Sequence, residues 1–360
     1  MLAYRAEDQC IIGPDRGDAF QGWHTWRAVS GPSGLVAAAL LAASPHNTQP
    51  WLFDVDAETV SIYADPARRL TAVDPYGREM YLGLGCALEN IILAGRARGL
   101  APTVDLPAAG AIAALVRLGS GTPQVTPEYE AIGWRRSNRG PYRRKPLLQP
   151  YLDEMAALID DPGVSLLWIT AADERRRLGS LLVAAAEAVV ADEAMSREGF
   201  DWFRAGADAI ARHRDGLTLD GQGLSQAVLT VAKLLPPVSR LEGDSFWLQR
   251  TREVHTATAA GYGLLLVDDP RDRGQLIRAG RVLQRLHLAA TARWLAVQHM
   301  NQVSERVDRD RSLGREPRLA SALSTLTRGS SRTVVSCFRL GHPAEPGRMT
   351  PRRVVAEVVR

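Results

Sequence analysis

GCALENIILAGRARGLA at residues 85–101 and GRVLQRLHLAATARWLA at residues 280–296 align without a gap. Their shared residues are Gly85/Gly280, Leu88/Leu283, Leu93/Leu288, Ala94/Ala289, Ala97/Ala292, Arg98/Arg293, Leu100/Leu295 and Ala101/Ala296, about half of the positions. In both stretches apolar residues recur at three and four, the spacing of a helix buried on most of its surface. It predicts long helices over residues 78–98 and 272–300. Helices rich in Ala, Leu and Arg match by chance, but here the surroundings repeat as well. Each half reads helix, strand, long helix, strand. An offset of 195 residues is too long for a solenoid repeat and points to two fused copies of one α+β unit.

Outward from the first long helix, residues 35–43 read as a helix that Pro45 must end, because proline disfavours α geometry in the residue before it. A polar loop bracketed by Pro45 and Pro50 follows, then strands at residues 51–55 and 59–63 joined by a tight acidic turn. Further strands are expected at residues 113–118, 165–170 and 262–267, and a further helix at 173–194. Residues 199–250 mix Gly, Asp, Trp and short apolar clusters without sustained periodicity, which reads as an insertion or lid. The expected division is a first copy over residues 1–130 and a second over 131–360.

Composition narrows the function classes. The chain has 360 residues, is 46% hydrophobic and 23% charged, and so can bury a sizeable core. Lys145 and Lys233 are its only lysines, leaving 42 of the 44 basic residues as arginine; with abundant Ala, Gly and Val this reads as coding bias. Net charge is only +4, acidic residues are interspersed, and aromatics are 6%, which argues against nucleic-acid binding and for a small polyanionic ligand. Cys10, Cys86 and Cys337 stand far apart, giving neither a disulfide framework nor zinc-ligand spacing. The opening MLAYRAEDQC lacks a signal-peptide pattern, and the longest apolar runs fall short of the roughly 20 residues that span a bilayer. A cytoplasmic protein is the expectation.

No GxSxG elbow, HExxH or Walker loop is present, and Gly83-Leu84-Gly85 and Gly261-Tyr262-Gly263 do not extend to a dinucleotide fingerprint. His287 and His299 lie on a mostly apolar stretch and read as structural. Two segments remain. Arg135-Arg136-Ser137-Asn138-Arg139 sets guanidinium forks around a hydroxyl, a combination that suits one phosphate. Ser44-Pro45-His46-Asn47-Thr48-Gln49-Pro50-Trp51 places imidazole and amide donors on a stiffened loop, suited to the edge of a flat heteroaromatic ring.

These two segments resemble the flavin-contacting motifs of the FMN-dependent nitroreductase family, roughly RRSxR and PSxxNxQPW. Leu340-Gly341-His342-Pro343 and Pro351-Arg352-Arg353-Val354 are similar to the end of that family's chains. The order differs, since the QPW loop lies in the first half and RRSNR opens the second. A fused pseudo-dimer explains this, with one composite site kept and its reciprocal lost, as in the Acg-type nitroreductase-like proteins of actinobacteria. The resemblance implies a nitroreductase fold in two tandem copies and a single FMN. Arg135, Arg136, Ser137 and Arg139, with Arg352 or Arg353, would hold the phosphate and ribityl chain. Ser44, Pro45, His46, Asn47 and Gln49 would line the ring. Met300 and Asn301 align with the stretch that approaches flavin N5, without the family's Glu-Gly. It also implies NAD(P)H as donor, a nitroaromatic or quinone-type acceptor, and a monomeric pseudo-dimer without nucleic-acid or membrane partners. The alternative is a protein that stores FMN beneath the insertion with little or no turnover.

Overall fold

A computed structural model describes residues 18–360, so Cys10 lies outside the described residues. The first copy contains α1 (Asp18–Thr25), α2 (Ser33–Ala39), the hairpin β1 (Trp51–Val55) and β2 (Thr59–Ala64), α3 (Arg78–Ala97), β3 (Leu100–Asp105) and β4 (Ile112–Ser120). Short helices α4 (Pro127–Ala131) and α5 (Gln149–Ala156) lead to the second copy. That copy contains β5 (Val164–Ile169), the insertion helices α6 (Ala172–Ala191), α7 (Glu193–Asp201), α8 (Gly206–His213), α9 (Gln226–Ala232) and α10 (Arg240–Arg250), then β6 (Gly261–Val267), α11 (Arg273–Ala292), β7 (Ala296–His299), α12 (Gln302–Ser312), α13 (Ala320–Leu326) and β8 (Thr333–Gly341).

The duplication is visible in the strand order. The first sheet runs β1-β2-β4-β3 and the second β5-β6-β8-β7, the same pattern with every neighbour antiparallel. The central helices α3 and α11 are each 20 residues long. They cross where the two repeats begin. A Cβ on Gly85 would stand 2.1 Å from the Ile277 carbonyl oxygen, and one on Gly280 would stand 2.1 Å from that of Leu82. The matching glycines therefore let one backbone rest on the other. Around the crossing, Gln284 donates to Asn90 at 2.8 Å and Arg281 pairs with Glu89 at 2.8 Å, while Gln284 Oε1 is buried without a hydrogen-bond partner. One hydrophobic core runs through both copies, from Leu35, Trp51 and Leu88 to Leu265, Leu286 and Phe338.

Two differences from the periodicity reading have local causes. The second long helix stops at Ala292 rather than at 300 because Trp294 takes a left-handed conformation (φ 60°) and the Leu295 N–H bonds back to the Ala290 carbonyl at 2.9 Å. The first copy turns at the equivalent Gly99 (φ 78°). The apolar run that continues past the turn is β7. Residues 199–250 are not structureless: they form short capped helices, α10 with a Ser239/Glu242 capping box.

Ser137 bridges to Val297 on β7 within the second copy, and the chain laces the copies together where Val359 bridges to Phe53 on β1, with Phe53 N–H bonded to the Val358 carbonyl at 2.8 Å. Among the described residues, no helix is long and apolar enough to cross a membrane and no metal-ligating cluster occurs.

A basic cluster and a cavity between the two copies

The QPW loop is held in a costly conformation. His46, Asn47 and Gln49 have φ of 47°, 56° and 51°, a left-handed geometry that costs a non-glycine residue roughly 1–2 kcal/mol each, less for asparagine. Buried hydrogen bonds hold it there. Asn47 Nδ2 donates to the carbonyls of Gly216 (3.1 Å) and Pro351 (3.0 Å), and its Oδ1 accepts from the Arg352 guanidinium. Gln49 Nε2 donates to the Arg214 carbonyl at 2.8 Å, and its Oε1 accepts the Arg353 N–H at 2.9 Å. These two amides thus tie the first copy to the insertion and to the downstream chain. Their polar atoms are engaged there rather than turned to the cavity described below.

The arginines meet on Trp23. The guanidinium carbons of Arg135, Arg136 and Arg352 lie 5.8, 4.0 and 4.6 Å from its ring centroid. Arg135 donates twice to the Leu41 carbonyl (3.2 and 3.1 Å), and Arg352 donates to Thr350 Oγ1 at 2.7 Å. Arg135 Nη1 and Arg352 Nε are buried without a partner, and no described carboxylate pairs with either residue. Burial pushes the Arg135 pKa down to about 10; burial and the charges of Arg135 and Arg136 hold that of Arg352 well below its usual value. Like charges desolvated together are unfavourable unless an anion joins them.

Beside this cluster lies a cavity of about 470 Å³, within the range of small-molecule sites. Ser44, Pro45 and His46 form part of its wall, with Cys86 and Glu79 from α3, and Ser137 and Arg139 from the basic motif. Met300, Asn301, Glu305 and His299 come from the second copy, and Phe200, Phe246, Trp247 and His255 from the insertion and the turn that follows it. Arg139 gives one N–H to the Gly221 carbonyl at 3.2 Å and has no carboxylate partner; burial and then Arg339 lower its pKa. Burial brings His46 to about 4 and His299 to about 3, so both imidazoles are neutral at pH 7. Glu305 is raised well above the usual carboxylate range by burial and then by Glu79, to which it is hydrogen-bonded. A carboxyl from each copy thus meets the other on the cavity wall.

The structure therefore brings together Ser44, Pro45, His46, Ser137, Arg139, Met300 and Asn301 at the cavity, and Arg135, Arg136 and Arg352 beside it on Trp23. It leaves Asn47, Gln49 and Arg353 in the ties between segments. Asn301 presents its side chain to the second sheet, accepting from the Cys337 N–H at 2.8 Å. Sequence reasoning missed Trp23, Glu79, His255 and Glu305. Glu79 had a signal, a carboxylate entering an otherwise apolar helix; the others had none at sequence range.

A duplicated α+β unit with a basic, aromatic cavity between its copies is the arrangement that the resemblance to nitroreductases implies. No protein-family model matches the chain. It is 28% identical over 272 residues to the "Putative NAD(P)H nitroreductase Rv3131" of Mycobacterium tuberculosis, covering 73% of each protein. It is 26% identical over 333 residues to the "Putative NAD(P)H nitroreductase acg" of the same organism, covering 90% of this chain and 93% of that one. Solved structures similar to it include the FMN-dependent nitroreductase NfnB from Mycobacterium smegmatis in complex with NADPH, at 17% identity and TM-score 0.40, over 65% of this chain and 97% of that one. Another is a nitroreductase with bound FMN from Bacteroides fragilis, at 16% identity and TM-score 0.37, over 64% and 95%. Over most of its length the chain is thus similar to Acg-type nitroreductase-like proteins.

Proposed function

We propose that the chain binds one FMN between its two copies and works as an NAD(P)H-dependent oxidoreductase that reduces nitroaromatic or quinone-type acceptors by two electrons. The observation that carries this reading is the cluster of Arg135, Arg136 and Arg352 on Trp23, drawn from positions more than 200 residues apart, with buried N–H groups of Arg135 and Arg352 left without a partner. A phosphate dianion supplies what that cluster lacks. Ser137 and Arg139 continue from it along the cavity wall, and Pro45, His46 and Met300 offer apolar and neutral surface to a flat ring. When bound, the flavin supplies the hydride chemistry. The protein's part is to hold it, to set the Arg139 charge beside it, and to keep a proton on Glu305 for the reduced acceptor. The division into copies at about residue 130 belongs to the same reading.

One observation favours the second reading, storage of FMN. Phe200, Phe246 and Trp247 of the insertion wall the cavity, and Asn47 and Gln49 pin its Arg214–Gly216 stretch. A roof fixed in this way limits access for a nicotinamide. Anaerobic addition of NADPH to the FMN-loaded chain separates the two. Prompt bleaching of the flavin band is expected for the enzyme. A band that persists with NADPH but yields to dithionite identifies a store, and a chain that takes up no FMN overturns both.

A further inference from the structure

Helix α10 runs into a π-turn at Thr251–His255, closed by the Thr256 N–H on the Thr251 carbonyl at 3.0 Å. Such wide turns shift the register of the side chains that follow and gather at functional sites. Here the turn presents His255 to the cavity wall. The residue is 2% exposed, its Nδ1 lies 3.4 Å from Thr251 Oγ1, and its Nε2 has no hydrogen-bond partner. A threonine hydroxyl donating to Nδ1 leaves the ring proton on Nε2. Burial first, and then the charges of Arg339, Arg139 and Arg250, keep the ring neutral; the Arg139 carbonyl favours protonation only weakly.

The surrounding guanidiniums are donors and cannot satisfy that N–H. Arg339 spends its own on the carbonyls of His255 (3.1 Å) and Gly140 (2.7 Å); Arg250 gives one Nη to that of Gly223 (3.0 Å), its Nε being buried without a partner away from the cavity lining. Arg139 and His255 are the donors of this corner that face the cavity with capacity to spare. The Arg139 carbonyl near the ring makes no hydrogen bond of normal geometry with Nε2, so this buried N–H is costly as it stands and the corner is built for an acceptor that arrives with a ligand.

We propose that His255 is a ligand-binding residue whose Nε2–H, beside the Arg139 guanidinium, donates to a hydrogen-bond acceptor on the ring of the bound flavin. This rests on the FMN reading above. The ring system carries two carbonyl oxygens and unprotonated nitrogens against one N–H donor, so a corner of donors matches its acceptor edge. The phosphate belongs to the Trp23 cluster, which makes the two contacts chemically separable.

The test compares FMN with riboflavin, which has the ring without the phosphate, by quenching of flavin fluorescence on the full chain. His255→Ala is expected to weaken both flavins alike, by about tenfold. His255→Gln, whose amide nitrogen reaches the Nε2 position, is expected to restore most of the loss. Should His255→Ala not fold, His255→Leu removes the same N–H at similar size. Unchanged affinity for both flavins in a folded variant overturns the proposal. So does a loss confined to FMN, which would put the imidazole at the phosphate. A wild-type chain that binds neither flavin overturns the FMN reading and this proposal together, whereas binding that ignores His255 overturns this proposal alone.

Discussion

The two copies share a strand order and a central helix of equal length, yet differ in the link between their first two strands. In the first copy residues 56–58 close a tight turn, in which Asp56 accepts from the Glu58 and Thr59 N–H groups at 2.8 and 2.7 Å. In the second copy the same link runs from residue 170 to 260 and carries α6 to α10. The difference teaches how the two copies come to contribute unequally to the cavity described above. The first copy contributes the strained QPW loop, and the insertion of the second folds over it. The QPW sequence occurs once, in the first copy.

The largest expected effect comes from separating the copies. Because one core runs through both, cutting the chain near residue 130 is expected to give two insoluble halves; a soluble, folded fragment by circular dichroism would show the copies to be independent. Next comes the crossing of α3 and α11. Gly85→Val and Gly280→Val each drive a side chain into the partner's backbone, and each should cost about 3 kcal/mol or more in denaturant unfolding. Unequal losses would show that the crossing is less symmetric than the repeat. Arg352→Ala should weaken FMN about a hundredfold in equilibrium binding and leave riboflavin within about twofold, since charge-assisted contacts to a phosphate are lost.

A finer comparison uses Asp74 and Asp269, which stand at equivalent positions in the two copies. Asp74 is buried and its pKa is raised to about 6, by burial and then Glu79. Asp269 is exposed. An acid whose folded pKa exceeds its unfolded value binds more protons when folded, so its contribution is favourable below the unfolded value near 3.8 and is lost as pH rises through about 6. Asp74→Asn should therefore gain stability over wild type between pH 5 and 8, on the order of 2 kcal/mol, while Asp269→Asn should not. Parallel thermal melts across that range check it. The smallest effect is at the helix ends: Trp294→Gly relieves the left-handed strain that Gly99 avoids in the first copy, and should gain at most about 1 kcal/mol in the same melts.

Much of the fold was legible because local patterns and tertiary structure agree. The 51–55 and 59–63 hairpin and the Arg78–Ala97 helix stand within a residue or so of where periodicity puts them. The strands β3, β7 and β8 were not legible. Every residue of β8 after Thr333 is buried, so it shows no alternation, and β7 has only four residues after an apolar helix. The site was half legible. Arg135, Arg136 and Arg352 meet as their charge suggested, but the same chemistry in Asn47 and Gln49 serves the backbone of distant segments instead. An amide's donors look alike in a sequence whether they are spent on a carbonyl or left for a ligand. His255 was hidden for a related reason, since only the π-turn brings it to the cavity.

The reach of Arg352 back to Trp23 and Asn47 also orders events in time. A ribosome makes Arg135 more than 200 residues before Arg352. Throughout that interval a nascent chain carries a basic cluster short of one arm and a QPW loop without its downstream tie. With the flavin phosphate held at the Trp23 cluster, as proposed, chains truncated before Arg352 should emerge colourless whatever flavin surrounds them.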